Sequence, residues 1–224
     1  MTTSRTTTAE GIELILVEEH TRPIVTISLN IKAGLLDDPP GKEGLAWVTG
    51  QMVMHGTREW TREALNEELD FLGSLGGVAV GRDTTSLTGD ALVRNLDAFE
   101  AICASVLTEP TFPVDELEKL KRRTIAELRQ VKDHDESLGR HFFVHYLYND
   151  HVYGQPLRGT EVSLGNITRD DIVEFHARHY RCAGAVAGIA GDIDEARAQR
   201  LVSNTLGRLP AEPRTLPEVP ALDY

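Results

Sequence analysis

The stretch HFFVH sets His141 and His145 four residues apart. On a helix that spacing puts both rings on one face, as zinc ligation from a helix requires. No glutamate stands between them to serve as general base, and no third ligand is near in sequence. The plainer reading is a helix with partly exposed histidines. HARH (His176, His179) and the single His20, His55, His134 and His151 fare no better. Cys103 lies in an apolar helical pattern and reads as a buried small hydrophobe. Nothing near Cys103 or Cys182 supplies the base and oxyanion donor that a thiol nucleophile needs, and two cysteines do not make a disulfide framework. The acidic pairs Glu18–Glu19, Asp37–Asp38 and Asp170–Asp171 fall in loops or first helical turns, where solvation and capping explain them.

These residues sit in a chain of 224 with 41% hydrophobic and 26% charged residues and a formal charge of −12. That composition is ordinary for a soluble globular protein. The acidic balance argues against nucleic acid as a partner, which would need a concentrated basic face. The longest basic cluster, Lys119, Lys121, Arg122 and Arg123, reads as the solvated side of a helix. No run of ~18 apolar residues occurs, so no membrane-spanning helix is expected. Residues 1–10 are Thr-rich and polar, with neither the apolar segment of a signal peptide nor an anchor, and are expected to be disordered. A soluble chain of bacterial cytoplasm or periplasm is expected, with the compartment unassigned.

The elements that must position any chemistry follow from periodicity. Ile12–Val17 and Val25–Ile31 read as strands joined by the polar turn EEHTRP, with Val25, Ile27, Leu29 and Ile31 alternating. A loop leads to a helix from about Glu43 to Met54, with Leu45, Val48 and Met52 on one face. Thr61 opens a second helix with Leu65, Leu69 and Leu72 in period, stopped by GSLGG. Val78–Val80 and Thr85–Leu92 read as paired strands. Asn95 is expected to cap a helix through Leu107, and Val114 to begin the longest helix, through Val131. Further helices are expected at Leu138–Tyr148, after the Thr168 cap, and over Asp194–Leu206, with a small-residue strand in AGAVAGIAGDI between the last two. The tail from 209 to 224 is Pro-rich and reads as a linker. Strands separated by helix pairs favour an α+β two-layer sandwich: a mostly antiparallel or mixed sheet with helices on one face, over residues 11–208. Composition and spacing alone stop there, with no function assigned.

The ordered segments carry more. GIELILVEEHTRPIVTISLNIKAGLLDDPPGKEGLA, a helix, then HGT resembles the start of a pitrilysin/insulinase-family zinc peptidase domain, like that of the mitochondrial processing peptidase. LGGVAVGRDTTSLTGDAL, PTFPVDELEKLKRRTIAELRQ and HVYGQPLRGTEVSLGNITRDDIVEFHARHYRCAGAVAGIAGDID resemble later parts of the same family in the same order. The resemblance covers roughly residues 10–210.

Members of that family carry the inverted zinc motif H-x-x-E-H on the helix after GLA. The resemblance lays the first histidine on Trp47, the glutamate on Gly50 and the second histidine on Gln51, with the third-ligand glutamate on Glu127. Trp offers no usable ring lone pair, Gly has no side chain, and neutral Gln is a poor zinc ligand. The resemblance therefore implies a metallopeptidase homologue that is inactive alone. No zinc is expected here, and the metal is expected only in a partner subunit. A displaced site using His55 with Glu127 would still lack a base. Some bacterial members, the mitochondrial processing peptidase and the core proteins of the respiratory complex pair a zinc-free chain with a related one. The resemblance thus implies a heterodimer in which this chain closes a chamber and helps bind peptide. Val78, Ala79, Val80 and Gly81 would present the edge to which a peptide adds as a further strand. The alternatives are a scaffold without peptide handling, or an active zinc hydrolase with a displaced site. Family chains carry two such modules per half-chamber, so a second module is expected beyond the linker.

Overall fold

Alternation along the strands sets the architecture. The computed structural model describes residues 2–131, 135–149, 151–213 and 219, and within 131–145 it leaves out the side chains of 131, 135–137, 140, 141 and 145. Six strands form one sheet: β1 (Thr2–Thr7), β2 (Glu13–Glu18), β3 (Ile24–Ile31), β4 (Leu75–Val80), β5 (Thr85–Leu92) and β6 (Val186–Gly191). Their order across the sheet is β1-β2-β6-β3-β5-β4. Only β2 and β6 run parallel; the other neighbours are antiparallel. Ile12, Leu14, Leu16, Val25, Ile27, Leu29, Ile31, Leu87, Ala187 and Ile189 are all buried on one face. The opposite face is polar: Thr26 donates to Asp90 at 2.5 Å and Ser86 to Asn30 at 2.6 Å. An alternating strand can bury only one face, so the helices pack on the apolar one.

The helices are α1 (Leu45–Met52), α2 (Arg62–Leu72), α3 (Leu96–Thr108), α4 (Val114–Val131), α5 (Asp135–Tyr148), α6 (Glu161–Asn166), α7 (Arg169–His179) and α8 (Glu195–Asn204), of which α1, α2, α3 and α8 pack directly on strands and the others against neighbouring helices. Their starts are chemical. Thr61, Thr168 and Asp194 accept hydrogen bonds from the N–H groups of Ala64, Asp171 and Arg197, satisfying donors left open by the first turn. The two-layer α+β sandwich expected from the sequence is the fold observed.

Four expectations change in detail. Residues 1–10 are not disordered along most of their length: Thr2–Thr7 pairs antiparallel with β2, from Thr2↔Glu18 to Thr7↔Glu13. β-branched threonines suit an edge strand, but with mostly exposed side chains they give no hydrophobic period. β2 and β3 do not form a hairpin, because β6 lies between them. Asn95 stands just before α3 but does not cap it; its amide donates to the Leu72 carbonyl at 2.7 Å, tying α2 to α3. The expected linker from 209 falls mostly outside the described residues. Its first two residues belong to the module: Leu209 is buried, and the Pro210 carbonyl accepts from the Cys182 N–H.

Candidate functional site

The helix α1 begins at a left-handed glycine, Gly44, with φ of 94°. Its first N–H groups are met from six and eight residues upstream. The Asp38 carboxylate accepts from the Gly44 N–H at 2.6 Å and from the Ala46 N–H at 2.7 Å. Burial pushes the Asp38 carboxyl up to about 7, against those two hydrogen bonds, which favour the ionised form.

Trp47 is nearly buried, and its ring carries the Arg158 guanidinium 5.4 Å from the ring centroid, within cation–π range. The same guanidinium donates to Glu127 on α4 at 3.0 Å, and Arg123 holds the other Glu127 oxygen at 3.7 Å. Arg158 therefore joins Trp47 and Glu127, which lie 80 residues apart in sequence. Gly50 faces the sheet so closely that a Cβ placed there would lie 2.3 Å from a Val80 methyl and 3.4 Å from a Val78 methyl. One turn on from Trp47, Gln51 donates its side-chain amide to the Val78 carbonyl at 3.2 Å. The structure thus brings all four motif positions into one neighbourhood.

Their donor set does not fit a zinc ion. Indole and glycine contribute no ligand, the Gln51 amide nitrogen is turned to a backbone carbonyl, and two guanidinium groups flank the one carboxylate. A zinc site needs three or four convergent N, S or O donors. Among the described residues, no group of three or more His, Cys, Asp or Glu side chains is placed to hold a metal.

The Val78 carbonyl points away from β5, since Gln51 reaches it from outside the sheet. In an antiparallel strand the N–H and C=O of one residue share a side, and the side alternates. Gly76 and Val80 therefore also turn backbone groups to the free edge of β4. Gly81 ends it: its carbonyl accepts from the Leu35 N–H at 3.2 Å, and the Arg82 carbonyl takes the Leu36 N–H at 3.0 Å. Of the four residues expected at a peptide-accepting edge, Val78 and Val80 face it, Ala79 pairs toward β5, and Gly81 is already engaged.

The other candidates resolve into structure. His55 pairs with a different carboxylate from Glu127. Its Nδ1 lies 3.3 Å from Glu116, which also accepts from Arg62 at 2.6 Å and Lys119 at 2.5 Å. Burial, then the Arg62 charge, pushes the His55 imidazole below its ordinary value. The Lys119 and Arg62 hydrogen bonds pull Glu116 down to about 2 against its burial. A depressed carboxylate stabilises the fold above its unfolded value near 4.5 and stops doing so as pH falls toward 2. Glu116→Gln should therefore cost about 1–3 kcal/mol at pH 7. Urea midpoints across a pH series should show the gap to wild type closing between about 4.5 and 2. A gap unchanged at low pH would mean that packing, not charge, was lost.

His176 Nε2 donates to the Leu107 carbonyl at 2.9 Å, and burial pushes the imidazole down to about 4. His179 packs on Phe175. His134 and the rings of His141 and His145 lie outside the described residues. Cys103 is buried and its thiol is pushed up to about 12 by burial, the opposite of a nucleophile's need. Sequence reasoning missed Arg158, whose loop position carries no motif, and Asp38, which reads as one of two loop acids until its distant N–H partners are seen.

A mixed sheet carrying helices on one face, with a short helix set against one edge strand, defines the class of fold as a two-layer α+β sandwich. The chain belongs to the Insulinase (Peptidase family M16) family, whose model matches residues 14–161, while residues 166–224 match that of the Peptidase M16 inactive domain. It is similar to an uncharacterized zinc protease of Rickettsia bellii, 27% identical over 184 residues, covering 80% of this chain and 45% of that one. It is 22% identical over 197 residues to human cytochrome b-c1 complex subunit 1, covering 86% and 40% of the two chains. The solved peptidase M16 inactive domain from Pseudomonas fluorescens superposes with a TM-score of 0.90 at 24% identity, covering 96% and 52%. The chain spans about half the length of the relatives it matches.

Proposed function

We propose that this module does not catalyse peptide hydrolysis itself and serves as the partner of a zinc-bearing chain of the same family. In that role it closes the chamber and offers the free edge of β4 to an extended peptide. The observation that carries this reading is the filling of the motif neighbourhood: a Trp–guanidinium stack, a glycine with no room for a side chain, and a glutamate paired with two arginines. The match of residues 166–224 to the M16 inactive domain supports it. A zinc requirement is placed in the partner alone.

Co-purification with a family chain that carries H-x-x-E-H, followed by peptide cleavage by each chain and by the mixture, tests the reading. The mixture should cleave faster than the zinc chain alone, and this chain alone should neither cleave nor retain stoichiometric zinc. A mixture no faster than the zinc chain would remove the partner role. The similarity to human cytochrome b-c1 complex subunit 1 favours, as a second reading, a scaffold that handles no peptide. Stable assembly with a related chain and no effect on cleavage would point there. Zinc-dependent cleavage by this chain alone, lost in Glu127→Gln, would instead establish a displaced active site.

A further inference from the structure

We infer that Arg158, seated on Trp47, makes the free edge of β4 a site for extended peptides that carry a carboxylate side chain. This rests on the peptide-binding reading above and names the chemistry such a peptide must have. Backbone groups of Gly76 and Val80 and the N–H of Val78, whose carbonyl Gln51 already holds, give an added strand its hydrogen bonds but read no side chain. Selection falls to what lies beside the edge. Gln51 touches the edge at Val78, and one turn back along α1 stands Trp47 with the Arg158 guanidinium across its ring. A strand added to β4 lies about 4.8 Å outside it, over the face of α1 that carries Gln51 and Trp47.

Arg158 is about half exposed, at 51%, so its guanidinium is open to a ligand as well as to Glu127. Arg123 shares that glutamate, so the cluster holds two guanidinium groups against one carboxylate. Arg82, just beyond the end of β4, is held on the Tyr153 carbonyl at 2.7 Å and 3.2 Å, with Asp83 on the hydroxyl of the same tyrosine to offset its charge. The local excess of cation, in a chain of net charge −12, is therefore that of Arg158 and Arg123 over Glu127. The planar fork of arginine suits a carboxylate, which it can hold with two parallel bonds. The Trp47 ring lies against one side of that fork.

The test uses the full chain and fluorescein-labelled decapeptides of β-prone sequence, each made as a pair with glutamate or glutamine at one central position. Fluorescence anisotropy at low and moderate salt gives the affinities. The glutamate member should bind about threefold to tenfold tighter, with the advantage shrinking as salt rises. Arg158→Gln should abolish the advantage, Arg158→Lys should keep part of it, and Glu127→Gln should enlarge it by releasing the guanidinium. Arg129→Gln, which removes an exposed arginine paired with Glu161, should change nothing. Equal binding of both members to the wild-type chain would overturn the carboxylate preference and leave edge binding standing. A preference that survives Arg158→Gln would overturn the role of Arg158. No binding of any peptide at millimolar concentration would sink the peptide-binding reading and this inference with it.

Discussion

Introducing Trp47→His, Gly50→Glu and Gln51→His together should yield a chain that folds less stably and still takes up no stoichiometric zinc. The obstacle is the packing of α1 on β4. Gly50 is buried, and even a Cβ at that position falls 2.3 Å from the Val80 methyl, far inside van der Waals contact. Valine is stiff at χ1, so relief requires the strand or the helix to shift. Overpacking of this kind costs about 1–3 kcal/mol, and a glutamate adds the burial of an ionised carboxylate. Trp47→His removes indole volume from a packed site, and Gln51→His gives up the bond to Val78. Glu127 remains paired with Arg158 and Arg123. Urea unfolding and metal analysis after dialysis read both outcomes. Gly50→Ala alone should destabilise by about 1–3 kcal/mol. In a Val80→Ala background that penalty should shrink, a coupling that a double-mutant cycle measures directly. A triple variant holding one zinc per chain at wild-type stability would show that the motif positions retain the room for a metal site.

The sequence exposes Gly50 only as a missing side chain; the reason for the glycine is a contact with a strand some thirty residues away. The same division runs through the fold. Helix starts are local chemistry, and Thr61, Thr168 and Asp194 act as their residue types foretell. The alternation of β3 likewise survives unchanged in its burial. What sequence does not carry is pairing at long range. β6 enters between β2 and β3 from the far end of the chain, and no short pattern records that. β1 is invisible to periodicity because its threonines are mostly exposed on both faces. At the site, the four motif positions were legible only through the resemblance of ordered segments. Their physical state was not, because Arg158 reaches Trp47 and Glu127 from a loop that only the fold brings near. His55 illustrates the converse: one turn after Gln51 it reads as a spare ligand, yet its partner is Glu116.

That loop is held by two glycines set backbone to backbone, and Gly159→Ala should release it. Gly159 has φ of 73°, and a Cβ there would stand 2.0 Å from the Glu43 carbonyl oxygen and 2.8 Å from Ser163 Oγ. Across the contact, Gly44 has φ of 94°, and its Cβ would meet the backbone of Arg158 and Gly159 at 2.8 Å. Ser163 adds a hydrogen bond to the same Glu43 carbonyl at 2.7 Å. A left-handed backbone costs alanine about 1–2 kcal/mol, and here the clash is with backbone that can yield only if the loop or the start of α1 moves. A total loss of about 2–4 kcal/mol is expected, at the upper end of single substitutions. Gly165→Ala, where nothing lies within 4 Å, serves as the control and should be neutral or slightly stabilising. Because Arg158 adjoins Gly159, the displaced loop should lift the guanidinium off Trp47. Tryptophan fluorescence should change, and the preference for glutamate over glutamine peptides should fall as it does in Arg158→Gln, while edge binding persists. Wild-type stability and an unchanged peptide preference in Gly159→Ala would show that the loop reaches Trp47 without this contact, and that the positioning of Arg158 lies elsewhere.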